Sequence, residues 1–270
     1  MKNRCTLDQF ELRQAALNWL TVEHPERKAF GVGQLQKSFL AGEVLLDTQT
    51  LLETKANIPG RPVKPALVSP LEVKKRSMRT VEGRAALIHA LAHIEFNAIN
   101  LALDAIWRFA NMPAEYYADW LKVAAEEAYH FSLLNKHLGT QGFTYGDFSG
   151  HNSLWEMVER TQDDVLARMA LVPRTMEARG LDASLPLRNK LAQAGDAVAA
   201  DILDIILRDE IGHVAIGNHW FNWLCTQREF APIETFQLLC QQYKAPKLKP
   251  PFNMDARRQA GFSEDELALL

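Results

Sequence analysis

The chain has 270 residues, 47% of them hydrophobic and 23% charged, with a formal net charge of -3. That length suits one large domain or a core with additions, and the mild acidity excludes an overall electrostatic footprint for nucleic acid or an anionic membrane. Cys5, Cys225 and Cys240 lie far apart with no C-x-x-C spacing, which excludes a disulfide framework or a Cys–zinc site and fits the reduced thiols of a cytoplasmic protein.

Residues 1–79 predict N-terminal helices followed by a proline-rich arm. Met1-Lys2-Asn3-Arg4-Cys5 leads into charged sequence without an apolar core, so no signal peptide is expected. No apolar run reaches about 18 residues, so no membrane span is expected. Residues 7–20 and 34–55 carry helical patterning. Pro59-Gly60-Arg61-Pro62, Pro65 and Pro70 then impose an extended stretch, with Ile58, Val63, Leu67 and Val68 as apolar anchors.

Residues 80–226 predict four helical segments. Thr80 caps the first, with Glu82 favourable in its opening turn. Ala85, Ile88, Ala92, Glu95, Ile99 and Ala102 fall on one face, and Glu95 is the only charge in that stripe. The chain should break at Asn111-Met112-Pro113, run helical again to about Leu138, and stop at Gly139. The glycine-rich stretch 139–152 is long enough to recross the structure. A capping box at Ser153–Glu156 should start the third helix, Pro173 should distort it, and Gly180, Ser184 and Pro186 should interrupt it before a short helix over 187–194. Asp196 should cap a fourth helix ending near Cys225. Residues 227–270 predict a further helix and a tail. One short turn, one long crossover and two more helices are the ferritin-like four-helix topology.

Chemistry enters through a repeated pattern: Glu126-Glu127-Ala128-Tyr129-His130 and Asp209-Glu210-Ile211-Gly212-His213. Residues three apart share a helix face, so Glu127 with His130, and Glu210 with His213, each aim a carboxylate and an imidazole at one point. Glu95 lies 32 residues before Glu127 and Glu177 lies 33 before Glu210. The midpoints fall at the breaks near residues 111 and 194, which sets each pair at equal height on antiparallel neighbours. Two Glu-x-x-His pairs with one more Glu apiece make the di-metal carboxylate site of a helix bundle. Glu159, on roughly the same face, is the alternative to Glu177. Burying four carboxylates without cations would be prohibitive, and an oxygen-rich set with two histidines favours two iron ions, or manganese, with zinc as an adventitious occupant.

Arg174-Thr175-Met176-Glu177-Ala178-Arg179-Gly180-Leu181-Asp182, Arg208–His213 and Pro250-Pro251-Phe252-Asn253 resemble an uncharacterised ferritin-like family, a domain of unknown function within the di-iron carboxylate superfamily, over roughly residues 60–265. The resemblance implies metal ligation by Glu95, Glu127, His130, Glu177, Glu210 and His213. It also implies that Glu126 and Asp209 hydrogen-bond the ligating histidines, as carboxylates beside such histidines usually do. The N-terminal arm and C-terminal tail depart from a bare bundle and argue against a hollow storage shell.

Several residues are read more plainly. His89 and His93 are structural, His137 is a core or outer-shell residue rather than a ligand, Tyr116, Trp120 and Trp220 are core, and Tyr129 points away from the metals. Lys244, Lys247 and Lys249 form a solvated run. The functional expectation is a non-haem di-metal oxidoreductase in which O2 or peroxide reacts at metals about 3.5–4 Å apart, with Glu95 and Glu177 as the shifting catalytic carboxylates. Its partners would be a small-molecule substrate and an electron donor, with no membrane or nucleic acid; a homodimer is left open. The competing expectations are a non-catalytic iron-binding or iron-oxidising protein, a tRNA-hydroxylase-like enzyme, and a bundle with a vestigial site.

Overall fold

The computed structural model describes residues 11–74 and 76–270; Met1–Cys5 and the expected helical start at 7–10 lie outside the described residues. All regular structure among the described residues is helical, so the all-α expectation holds, and extended pairing is limited to isolated bridges at Glu11–Leu45 and Leu67–Gly150. Two compact units form. One takes the chain up to Lys64 together with Glu95–Ser132, and the other takes Pro65–Ile94 with Leu133–Leu270.

In the first unit, α1 (Leu12–Leu20) begins where the Glu11 carboxylate accepts from the N–H groups of Arg13 and Gln14. The second helix, α2, spans Pro25–Leu40. The expected helix over 34–55 therefore survives only to Leu40. Gly42 takes a φ of 73°, and the Asp47 carboxylate then accepts the N–H groups of Gln49 and Thr50, a local turn that competes with helix. Two long helices follow, α3 (Val81–Arg108) and α4 (Ala114–Thr140), separated where predicted, with Asn111 at a φ of 61°. Their facing segments are antiparallel: the Phe96 and Phe131 rings meet at 5.6 Å, and the Tyr116 hydroxyl donates to Ala105 O at 3.3 Å.

Two buried cations fix this unit. The Arg13 guanidinium donates to Ile106 O and Trp107 O, two of the last carbonyls of α3, and to Asp47 O and Thr50 O. Helix-end carbonyls have no partner within the helix, and each one buried without a donor costs about 1–3 kcal/mol. Lys28, fully buried on α2, donates to Leu20 O, Gly60 O and Asn100 Oδ1, joining α1, the arm and α3. The arm is held by such backbone contacts and by buried Pro59 and Pro65, with Ile58 and Val68 half-buried. Gly60 N donates to Leu20 O at 2.8 Å, whereas Val63 is 98% exposed and Leu67 41%. A Cβ at Gly60 would lie 2.1 Å from Thr21 O, so the close approach demands glycine.

In the second unit, Thr80 caps α3 as expected, its hydroxyl accepting from Gly83 N. The crossover after Thr140 is pinned by Val68 N to Gly150 O and Gly150 N to Ala66 O. The third helical segment departs from expectation. It comprises α5 (Ser153–Arg160), α6 (Val165–Leu171), a π-helical stretch (Val172–Glu177) and α7 (Ala178–Gln193). The Ser153–Glu156 capping box does not form; Asn152 O accepts Glu156 N instead. The break after α5 has a local cause: Arg168 donates to Thr161 Oγ1 and Val158 O, and Asp164 caps α6 through Leu166 N.

Pro173 does distort the helix. It lacks an N–H, and the backbone widens to π geometry while Thr175 Oγ1 donates five residues back to Ala170 O. By contrast, α7 runs unbroken through Gly180, Ser184 and Pro186. The N–H missing at Pro186 would have served Asp182 O, a single lost bond that the packing of α7 along α8 outweighs. Gly195, at a φ of 83°, turns the chain, and Asp196 caps α8 (Ala197–Gln227) through Ala199 N. The helices α7 and α8 are antiparallel, with Arg188 paired to Asp204 and Arg174 to Asn218. Three short helices close the chain: α9 (Pro232–Gln242), α10 (Met254–Gln259) and α11 (Glu264–Leu267).

By length and composition α3 could cross a membrane, but most of its apolar stretch is buried within the fold, as in a core helix.

Candidate metal centre

Glu95 sits on α3 and is the one acid in its apolar stripe. Glu127 and His130, one turn apart on α4, face it. The His130 Nδ1 lies 3.3 Å from Glu95 Oε2 and 3.6 Å from Glu127 Oε2, and all three residues are buried. Burial pushes the Glu95 carboxyl well above the usual carboxylate range. The neighbouring Glu127 charge raises it further, while His130 opposes the shift. Two buried carboxylates and an imidazole at this spacing can share a proton, or a cation can replace it.

The second Glu-x-x-His pair repeats the arrangement on α8. His213 Nδ1 lies 3.7 Å from Glu210 Oε1, His213 is fully buried, and Glu210 is buried. Glu177, at the end of the π stretch, is buried too. A Cβ at Gly180, one turn beyond Glu177, would lie 3.9 Å from Glu210 Oε2, which places the Glu210 carboxylate beside the start of α7.

Among the described residues, one ligand atom each from Glu95, Glu127, His130 and Glu210 lies within 4.8 Å of the others, and all four residues are buried. Such a group can hold a metal ion: three hard carboxylates and an imidazole fit a divalent first-row cation. Glu177 and His213, expected with these four, are buried nearby in sequence register but stand outside that four-residue group. Glu159, the alternative to Glu177, is exposed and accepts from Trp155 Nε1, so it takes a surface role. Glu126 lies 3.8 Å from Lys122 Nζ, and Asp209 accepts two bonds from Arg208.

The other polar residues serve the frame. His89 Nε2 accepts from Gly146 N, and His93 bridges the Tyr145 hydroxyl and His151 O, so both bind the crossover to α3. His137 pairs with Asp196 at 2.8 Å, joining the end of α4 to the start of α8. Tyr116, Trp120 and Trp220 are buried, Tyr129 is half exposed, and Lys244, Lys247 and Lys249 face solvent. Sequence reasoning gave no role to Arg174 and Asp182, which it quoted only for the family resemblance, and passed over Arg257 and Glu266; the four pair around the segment carrying Glu177. The one available signal was an arginine followed by a Glu-containing helix directly after Pro173.

The comparisons with known proteins place the chain without assigning an activity. Residues 21–268 match the family described as "Protein of unknown function (DUF455)", and the chain belongs to that family. An uncharacterized protein of Haemophilus influenzae is 49% identical over 257 residues, covering 92% of this chain and 89% of that protein. No solved structure matches the chain.

Proposed function

We propose that the protein is a ferritin-like di-metal carboxylate oxidoreductase acting with O2 or a peroxide on a small-molecule substrate. The observation that carries this reading is the buried cluster of Glu95, Glu127, His130 and Glu210. So many buried acids are costly unless cations balance them. The chain order of one helix pair, a long crossover and a second helix pair supports the ferritin-like bundle, and the antiparallel registers support it further. In this reading Glu95, Glu127 and His130 hold one ion, and Glu177, Glu210 and His213 hold the other. Two iron ions there would supply the electrons that O2 or a peroxide takes up.

The protein's own contribution is positional. The i,i+3 spacing presents the Nδ1 atoms of His130 and His213 to their own glutamates. Glu95, Glu127, Glu177 and Glu210 are all buried, which strengthens their hold on a cation. Glu95 and Glu177 have no histidine three residues further on, where Ala98 and Gly180 stand, so they are the carboxylates that can change orientation. Glu126 and Asp209 orient the two histidines.

The test is O2 uptake by anaerobically Fe(II)-loaded protein. Uptake faster than that of equimolar free Fe(II), with Glu95→Ala at least about tenfold slower, is the expected result. Metal binding with uptake no faster than free Fe(II), and no reaction with hydrogen peroxide, would replace the oxidoreductase reading with a non-catalytic metal-binding one.

A further inference from the structure

The π stretch that ends at Glu177 is gripped from outside by the C-terminal tail. Arg174, 2% exposed, donates through Nη1 to Asn218 Oδ1 on α8 and through Nη2 to Glu266 Oε1 on α11. Its guanidinium lies 4.8–4.9 Å from the ring centroids of Phe221, Phe236 and Phe262. Asn218 Nδ2 in turn donates to Ala260 O. Just beyond Glu177, from Ala178 to Asp182, the grip repeats. Arg257 of α10, fully buried, donates to both Asp182 oxygens and to Ala178 O, and Asn253 bonds Asp182 and Leu181.

Between the two grips, Ala256 and Ala260 pack on Ala178, Leu181 and Val214, with Ile211 at the edge. Ala178, Ile211 and Val214 are the immediate neighbours of Glu177, Glu210 and His213. On the inner side, Pro173 seats against Gly217, where a Cβ would come within 2.5 Å of the proline ring. The helix register at Glu177 is therefore fixed by a proline–glycine contact inside and by two buried arginines outside.

We propose that the segment 253–267 is a strap that sets the position of Glu177, with Arg174 and Arg257 as positioning residues for one half of the metal centre. This rests on the di-metal reading above. A two-headed guanidinium between α8 and α11 cannot be copied by lysine, which is a compact point charge. Buried partners that orient ligands typically govern metal affinity by about 10–100-fold.

The experiment is a Co(II) titration of the full chain by visible absorption, comparing wild type with Arg174→Lys, Glu266→Gln and their combination. The exposed-pair variant Arg258→Gln, which loses only surface contacts to Glu264 and Asp255, serves as control. Thermal unfolding is recorded in parallel. Wild type and Arg258→Gln should bind Co(II) in two steps. Each strap variant should keep the first step, bind the second ion at least about tenfold more weakly with an altered absorption band, and lose no more in combination than singly. Should Arg174→Lys not fold, Glu266→Gln carries the test alone. Wild-type affinity and spectrum at both steps would overturn the strap, as would equal weakening of both steps, which signals general destabilisation. No Co(II) uptake by wild type would overturn the di-metal reading and the strap with it.

Discussion

Replacing Glu95 by Gln is expected to stabilise the metal-free protein while removing its metal affinity. Glu95 is buried beside Glu127, and both burial and that neighbour raise its carboxyl well above the usual range. Because the folded state then holds a proton that the unfolded state has released, stability of the metal-free protein falls as pH rises above the ordinary glutamate value and through the raised one. The Gln variant lacks that fall. Swapping one buried like charge for a neutral amide of similar shape should gain about 1–3 kcal/mol at the alkaline end of the window, seen as a melting temperature higher by several degrees. With metal present the order should reverse, since a ligand at about 1,000 times its Kd stabilises by about 4 kcal/mol and the variant cannot take it up. Calorimetry of both proteins across pH, with chelator and with Mn(II), checks this. A variant less stable than metal-free wild type throughout would mean that the acids are not in electrostatic conflict.

Lys28 should give the opposite pH profile. Burial and the nearby Arg61 push its ammonium down to about 7. Above that value the folded state binds fewer protons than the unfolded state, so this lysine's contribution to stability rises with pH from about 7 towards 10.5. Subtracting a Lys28→Met profile from the wild-type profile isolates it, at a slope approaching about 1.4 kcal/mol per pH unit. The same substitution leaves Leu20 O, Gly60 O and Asn100 Oδ1 without their donor. It should therefore cost roughly 2 kcal/mol near pH 8.5, where the wild-type lysine is largely neutral and offers two N–H donors to those three acceptors. Urea unfolding at pH 6.5, 7.5 and 8.5 provides the measurement. Identical slopes for the two proteins would show that Lys28 stays protonated inside the fold.

The features legible in the sequence were those with period or symmetry. Glu95 stood out because it interrupts an apolar stripe, and the two Glu-x-x-His pairs stood out because they recur at matched distances from a partner Glu. Equal-height reasoning placed both turns, at Asn111 and Gly195, because antiparallel helices of fixed rise leave little freedom. Pro173 announced its distortion because a missing N–H is a local fact.

What stayed hidden depends on partners distant in sequence. Pro186 continues a helix because α8 holds α7 in place, which no local rule reveals. Arg13 and Lys28 look like ordinary surface cations until the carbonyls of α1, α3 and the arm converge on them. Arg174 and Glu266 are 92 residues apart and become a pair only once the tail folds back. The Ser153 capping box failed because an N-cap motif says where a helix can begin, and Asn152 O took the bond instead.

The most direct measurement is metal content by elemental analysis, on protein expressed with added iron, beside a Glu127→Ala/Glu210→Ala double variant. About two iron or manganese ions per chain are expected in wild type, with loss of both in the double variant while its circular dichroism stays helical. Wild-type protein carrying no more metal than the double variant would contradict the metal centre, and with it the oxidoreductase reading and the strap.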